Sequence, residues 1–336
     1  MATINDEVSR EPAAHPRPSA PGGAPSRVCC YTVDEGYLLP TLISASQLRR
    51  GLPPGLADVL VLCFGPVTDM TREAARFCAE EGLRFELVPL GELDGHPMIC
   101  ARFLLPRLLA STYSDILYLD GDTQVAGSLA PLVSFAVPGG QLLAAPDPMA
   151  VMVGTGAAPW PARRAYFRSI GIPDERQERY FNSGVMRFGR RDWEAVSREC
   201  LALCRRKGRA YEFRDQDALN LVLGDRAHLV SFRWNFPPFF LNFGAQARIG
   251  PRLYHFMSNP RPWQGAFAPW GRAWHEPYAA LAAARPALGR SLKSMRPATR
   301  YRYVAQQRFK RLIEAHRWGT PAVAARIDAF EARAAI

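Results

Sequence analysis

The stretch YSDILYLDGDTQV, Tyr113 to Val125, decides how the rest of the chain is read. Its apolar run, Ile116 to Leu119, has the length and flanks of a buried strand and delivers Asp120 and Asp122 to the strand's end. Two acids on alternate residues of an extended segment point to opposite faces. Gly121 between them frees the backbone to turn, so that both carboxylates can converge on one hard cation. The same three residues also suit a plain polar turn. Spacing alone leaves both readings open, and the flanking chain has to choose.

Working outward, Val28 to Val33 reads as a first strand, Asp34 to Tyr37 as a polar turn and Leu38 to Arg50 as a helix. Val59 to Phe64 is a second buried strand, Thr68 to Gly82 an amphipathic helix, and Leu83 to Leu90 an alternating third strand. Ile99 to Ser111 is expected to form a helix that Pro106 kinks. Beyond the central stretch, Gln141 to Pro146 reads as a strand ending at a turn with Asp147, and Val151 to Ile172 as a loop region over the site. Tyr180 to Phe188 is a strand, Asp192 to Lys207 a helix N-capped by Asp192, and Arg214 to Leu223 a helix. His228 to Phe243 is an aromatic strand with flanking loops. Strands alternating with helices predict an α/β fold with a mostly parallel central sheet and helices on both faces.

The 336 residues, 48% hydrophobic and 22% charged, suit one large domain with tails. Residues 1–26, rich in Pro, Ala and Gly, read as a disordered leader, residues 27–284 as the folded domain and residues 285–336 as a basic helical tail. That tail holds 12 Lys and Arg against 3 Asp and Glu, so most of the net charge of +11 lies there. Within it Tyr301, Ala305, Phe309 and Leu312 recur at helical spacing, the pattern of a helix that lies on an anionic membrane or packs its stripe on the body. Nucleic-acid binding would need more than a basic tail. Seven scattered Cys without zinc spacing read as buried free thiols. No run approaches the roughly 18 apolar residues of a membrane span, and the N-terminus has no secretory pattern. A cytoplasmic location is expected, peripheral on the inner membrane face if the tail binds lipid.

Five segments carry chemistry. VDEGYL places Asp34 and Tyr37 at the carboxyl end of the first strand, where open α/β sheets bind nucleotides and where acids also cap helices. Arg102 is a cation among apolar neighbours in ICARFLLPRLL, and a helical Arg there commonly snorkels to the surface. FNSGVM brings Asn182 and Ser183 into a strand, turn chemistry in its plainest reading. RDQD sets Asp215 and Gln216 at a helix start, which capping explains only in part. YHFMSNPRPW joins His255 to a loop with the cation Arg261.

These segments, in this order and over Val28 to Trp263, resemble glycosyltransferase family 8, a retaining family with the GT-A Rossmann-like fold and a DxD motif that includes bacterial lipopolysaccharide galactosyl- and glucosyltransferases and glycogenin. The resemblance implies that Asp120, Asp122 and His255 hold Mn2+ (or Mg2+) against the diphosphate of a UDP-sugar, with Gly121 beside them. It implies that Asp34 and Tyr37 contact the uracil and that Arg102, Asn182 and Ser183 face the donor sugar. Asp147 reads first as an ordinary turn acid, with contact to the donor sugar hydroxyls as the alternative. Asp215 and Gln216 fall nearest the anomeric carbon, and Trp234, Asn235 and Phe236 match the strand leading to the acceptor loop. In the HFxGxxKPW segment Arg261 stands in place of Lys, keeping the charge and a two-pronged grip on phosphate. Ser258 stands in place of Gly.

The activity implied is transfer of glucose or galactose from a UDP-hexose to a hydroxyl of a glycan or glycolipid acceptor, without nucleic acid. Gln216 is a poor nucleophile, so same-face attack by the acceptor is favoured over double displacement. The alternatives are a nucleotide-sugar-binding protein that has lost turnover, and glycogenin-like self-glucosylation. A nucleotidyltransferase would need a Gly-rich, Lys-containing loop that VCCYTVDEGYL lacks.

Overall fold

Strand β1 (Arg27–Asp34) sends Cys29, Tyr31 and Val33 into one hydrophobic core and Val28 and Cys30 into another, because successive side chains of a strand alternate faces. The whole sheet is therefore covered on both sides. In the computed structural model, which describes residues 26–153, 160–207, 210–292, 295–334 and 336, seven strands lie in the order β3-β2-β1-β4-β7-β6-β8. These are β2 (Asp58–Phe64), β3 (Arg84–Val88), β4 (Asp115–Leu119), β6 (Leu142–Pro146), β7 (Phe181–Gly189) and β8 (Ala227–Leu229), with β1. β7 alone runs against its neighbours. A separate ribbon pairs β5 (Thr123–Val125) with β9 (Leu253–His255).

Helix α1 (Glu35–Gly51) and helix α2 (Asp69–Glu80) fill the first core with Leu38, Leu42, Leu48, Ala74 and Phe77. Thr68 starts α2 with a capping box shared with Thr71. On the other face, α3 (Arg190–Lys207) and α4 (Arg214–Leu223) contribute Trp193, Val196, Ala218 and Leu219, and Trp193 stacks on Phe188 of β7 at 3.8 Å between ring centroids. The expected α/β sandwich is thus present, and the seven Cys are free thiols, all buried except the half-buried Cys204.

Several local expectations give way to tertiary structure. The turn at Asp34 to Tyr37 is the first turn of α1, with Asp34 as N-cap accepting from Tyr37 N at 3.3 Å. Residues 99–111 are not one helix. A 3-10 helix, Met98–Leu104, passes into a single α turn, Leu105–Leu108, because Pro106 supplies no N–H and its ring crowds the preceding turn. Asp192 lies inside α3 and accepts from Gly140 N at 2.9 Å, tying the loop before β6. The region read as a loop from Val151 is helical at Pro148–Val153 and Trp160–Ile170; residues 154–159 lie outside the described residues. The aromatic segment after β8 is two 3-10 turns, Phe232–Trp234 and Pro238–Phe243, since its rings fill a third core with Tyr254, Phe256 and Trp318. The leader, apart from Ser26, also lies outside the described residues.

Past α5 (Gly271–Ala284), which packs on α1, the chain forms α6 (Pro297–Trp318) and α7 (Pro321–Glu331). Both dock on the third core through Trp318, Val323 and Ile327, and the Glu331 carboxylate accepts from Ser231 Oγ at 2.5 Å and Phe232 N at 2.9 Å. Tyr301, Phe309 and Leu312 of α6 remain 77%, 65% and 71% exposed, so the anticipated stripe is not its packing face. Among the described residues no helix is long and apolar enough to cross a membrane.

Candidate active site

β4 ends at Leu119, and Asp120 N donates to Gly184 O of β7 at 2.7 Å, holding the first acid beside the FNSG segment. The ribbon register then sets Thr123 opposite His255, and Phe256 N donates to Asp122 O at 2.9 Å. One ligand atom each of Asp120, Asp122 and His255 lies within 4.8 Å of the others. His255 Nε2 is 3.1 Å from Asp122 Oδ1 and 3.7 Å from Asp120 Oδ2. Two carboxylates and an imidazole nitrogen are a donor set that can hold a divalent cation.

Gly121 earns its place by size, not by turning. Its backbone is outside the left-handed region, but a Cβ there would stand 2.3 Å from Thr41 Oγ1 and 2.9 Å from Val33 Cγ1. The expected role as a backbone hinge is therefore replaced by a close approach of the acid turn to α1 and β1.

Two guanidinium groups balance the acids. Arg102 does not snorkel; it is buried, with Nη2 donating to Asp120 Oδ1 at 2.7 Å and Nη1 to Ser183 O at 2.8 Å, and with Nη1 3.0 Å from Asp215 Oδ2. Arg261 pairs with Asp122 and donates to Phe256 O. The Nε atoms of both Arg102 and Arg261 are buried without a hydrogen-bond partner among the described residues. Burial pushes the Asp122 carboxyl upward, but His255 and Arg261 outweigh it and hold the group at about 2. Burial raises Asp120 above the usual carboxylate range, and the neighbouring Asp122 adds to this against the pull of Arg102.

Thr32, Asp34, Tyr37, Arg102, Asp120, Gly121, Asp122 and Arg261 share one cleft of about 340 Å³. Tyr37 is 39% exposed there and meets Trp263 edge-on at 5.8 Å. Asn182, Ser183, Asp215 and Gln216 sit behind the acids in a buried network. Ser183 Oγ donates to Asp215 Oδ2 at 3.0 Å, Ser183 N donates to Gln216 Oε1 at 3.1 Å, and Asp147 Oδ2 accepts from Gln216 Nε2 at 3.0 Å and from Asn182 Nδ2 at 3.2 Å. Asp147 is thus no ordinary turn residue, and burial raises its carboxyl pKa despite these bonds.

A second cleft, of about 200 Å³, reaches His255 from the side of α6, between Phe239, Trp270, Gln307, Lys310 and Glu314. The exposed Ser258 lines it and adopts no left-handed backbone angle. Trp234, Asn235 and Phe236 are all buried, so core packing accounts for the two rings.

The third acid of the DQD run has a structural task. Asp217 accepts from Tyr166 OH at 2.5 Å, Tyr180 OH at 2.6 Å and Phe213 N at 2.9 Å, closing the start of α4. Asp217→Ala strands these donors and is expected to lower stability by about 2–4 kcal/mol, read from urea unfolding. A loss near zero would mean that water replaces the carboxylate.

Gly184 is the residue that motif spacing passed over. A Cβ on it would stand 2.1 Å from His255 Cε1 and 3.0 Å from Asp120 Oδ2, so the imidazole occupies the space that any side chain would fill. Its signal lay within the FNSG segment itself.

The family model for glycosyl transferase family 8 matches residues 95–266, half of the chain, and includes every one of these groups except Thr32, Val33, Asp34, Tyr37, Thr41, Trp270 and the α6 residues. The chain belongs to glycosyltransferase family 8. Lipopolysaccharide glucosyltransferase WaaO of Escherichia coli strain K12 is 28% identical over 172 residues, 48% of this chain and 48% of that protein. The chain thus spans about half the length of the curated relative it matches. Among solved structures, galactosyltransferase LgtC with donor and acceptor sugar analogues superposes with a TM-score of 0.60 at 21% identity, over 82% of this chain and 99% of that one. WbbM, a bifunctional glycosyltransferase, gives 0.60 at 17% identity over 81% and 52%. GlyE of Streptococcus pneumoniae TIGR4 gives 0.53 at 19% identity over 81% and 66%. At these identities the likeness is one of fold, and it agrees with the GT-A sheet described above.

Proposed function

We propose that this family 8 chain transfers glucose or galactose from a UDP-hexose to a hydroxyl of a glycan or lipid-linked acceptor, with retention and with a divalent cation. The observation that carries the reading is the convergence of Asp120, Asp122 and His255 at the edge of a cleft that also holds Asp34, Tyr37, Arg102 and Arg261. When bound by the three ligands, Mn2+ or Mg2+ supplies Lewis-acid stabilisation of the leaving diphosphate.

The protein groups divide the remaining work. Tyr37 offers an exposed ring for the base, and the Asp34 carboxylate lies beside it. The guanidinium groups of Arg102 and Arg261 line the cleft and suit diphosphate oxygens, neutralising charge as the bond to the sugar breaks. Asn182 and Ser183 face the hexose, with Asp215 and Gln216 nearest the reacting carbon. The Asp215 carboxylate is already engaged by Arg102 and Ser183, which blunts it as a nucleophile and supports same-face attack. The second cleft, with Trp270 as an aromatic wall and Gln307 and Lys310 as polar ones, is our candidate for the acceptor.

Residues 27–284 would form the catalytic part and residues 285–336 the basic tail. The outward Tyr301, Phe309 and Leu312 among Arg300, Arg302, Arg308 and Arg311 support contact of α6 with an anionic membrane surface, for which we propose the cytoplasmic face.

The experiment is UDP release from a panel of UDP-sugars, with and without Mn2+, by the wild type and Asp122→Ala. Metal-dependent release from one sugar, lowered at least about a hundredfold in the variant, is expected. A wild type that binds neither UDP nor Mn2+ would end the reading. Binding without release to water or to any acceptor would favour the non-catalytic sugar-nucleotide binder, and a hexose mass increment on the protein itself the self-glucosylating one.

A further inference from the structure

One backbone group fixes the orientation of every amide between β7 and the metal site. Gly184 N–H is an unambiguous donor, and it points at Asn182 at 3.0 Å, so the Asn182 atom there is the carbonyl Oδ1. Asn182 Nδ2 is thereby turned to Asp147 Oδ2, a carboxylate that can only accept when ionised. Asn235 also contacts Asn182 Oδ1, at 2.8 Å, and must do so with its Nδ2. Its other atom, Oδ1, then faces His255 Nδ1 at 2.9 Å, and that nitrogen must carry the proton. His255 Nε2 is left as the ring atom facing Asp120 and Asp122. Asn235, Asn182 and His255 are all buried, so water does not compete for these bonds.

We propose that Asn235 is a positioning residue that holds His255 with Nε2 toward the cation and, through Asn182, ties the metal site to the donor sugar, so that cation and hexose bind cooperatively. The inference rests on the UDP-hexose and metal reading above. Its physical basis is that a ligating imidazole is oriented by the acceptor on its other nitrogen. The same amide that supplies this acceptor donates to Asn182. With Asn182 set against the hexose, as in the proposed function, its shift on sugar binding is transmitted to His255 through two hydrogen bonds. Binding of either ligand that stiffens this chain favours the other.

Two substitutions separate the roles. Asn235→Ala removes both bonds. Asn235→Asp keeps an acceptor for His255 Nδ1–H but turns a second acceptor toward Asn182 Oδ1 and so breaks the link to the sugar. Mn2+ affinity is measured by electron paramagnetic resonance on the full chain, alone, with UDP and with the UDP-hexose that the wild type takes. Asn235→Ala is expected to weaken Mn2+ binding by about 10–100-fold in all three conditions. Asn235→Asp should bind Mn2+ alone and with UDP as the wild type does, while losing the tightening that the hexose adds over UDP. Circular dichroism and thermal unfolding confirm that each variant folds.

Wild-type Mn2+ affinity in Asn235→Ala would overturn the orienting role, and an intact hexose increment in Asn235→Asp would overturn the coupling. Should Asn235→Ala not fold, Asn235→Leu, which fills the same space without an acceptor, takes its place, and wild-type Mn2+ affinity in that variant would overturn the orienting role. A wild type that binds no Mn2+ under any condition defeats the parent reading as well, and is told apart by the silence of the unaltered chain.

Discussion

Arg102→Met is expected to lower stability by about 3–5 kcal/mol and to abolish UDP-hexose binding with it. The guanidinium lies buried between Asp120 at 2.7 Å and Asp215 at 3.0 Å, and its Nη1 also donates to Ser183 O at 2.8 Å. A thioether of similar length fills the space but leaves the half-buried Asp120 and the buried Asp215 carboxylates without the cation that bridges them. The sign of the pH dependence follows. Burial already raises Asp120 above its ordinary range, and without Arg102 its folded-state pKa rises further. An acid whose pKa is higher folded than unfolded destabilises the fold where it is ionised, so the deficit should be largest at neutral pH and shrink as pH falls toward the carboxylate range. Urea unfolding across that range measures it. A loss below about 1 kcal/mol, typical of solvent-exposed pairs, would mean that water already screens these charges and that Arg102 serves the ligand alone.

Gly184→Ala should remove the cation site while leaving most of the fold in place. The new methyl would stand 2.1 Å from His255 Cε1 and 2.6 Å from Nδ1, closer than any carbon contact allows, and the backbone of β7 is held on both sides by β4 and β6. The imidazole is therefore the part that yields, losing its bond to Asn235 and its place opposite Asp122. Overpacking of this kind costs about 1–3 kcal/mol. Loss of one of three protein ligands is expected to weaken Mn2+ binding at least about a hundredfold. Unchanged Mn2+ affinity in a folded Gly184→Ala chain would mean that His255 is not a ligand.

These two substitutions mark where legibility in the sequence ends. Arg102 stood out as a cation among apolar residues, yet its neighbours suggested a helix and a route to solvent. Pro106 prevents that helix, and the 3-10 turn that replaces it directs the side chain inward beneath Asp120. At Gly121 turn propensity is visible in the sequence, and the nearness of Thr41 that demands a glycine is not. The aromatic run after β8 was misjudged in form because its rings pack against Trp318 of α6, a partner that no local period reveals.

The sequence alone determined the α/β class, the strand that carries the two acids, the helix Arg214–Leu223 to its last residue, and the chemical types assembled around a nucleotide sugar. Each of these is set by residues close in the chain, through hydrophobic period, capping and propensity. Only the tertiary structure decided that Thr123 pairs with His255, that Gly184 makes room for the imidazole, that Arg102 neutralises two acids at once, and that Asn235 joins His255 to Asn182. Those contacts depend on the register between distant strands. That register follows from burying both faces of the sheet at once, a constraint that acts on the whole chain and not on any one segment.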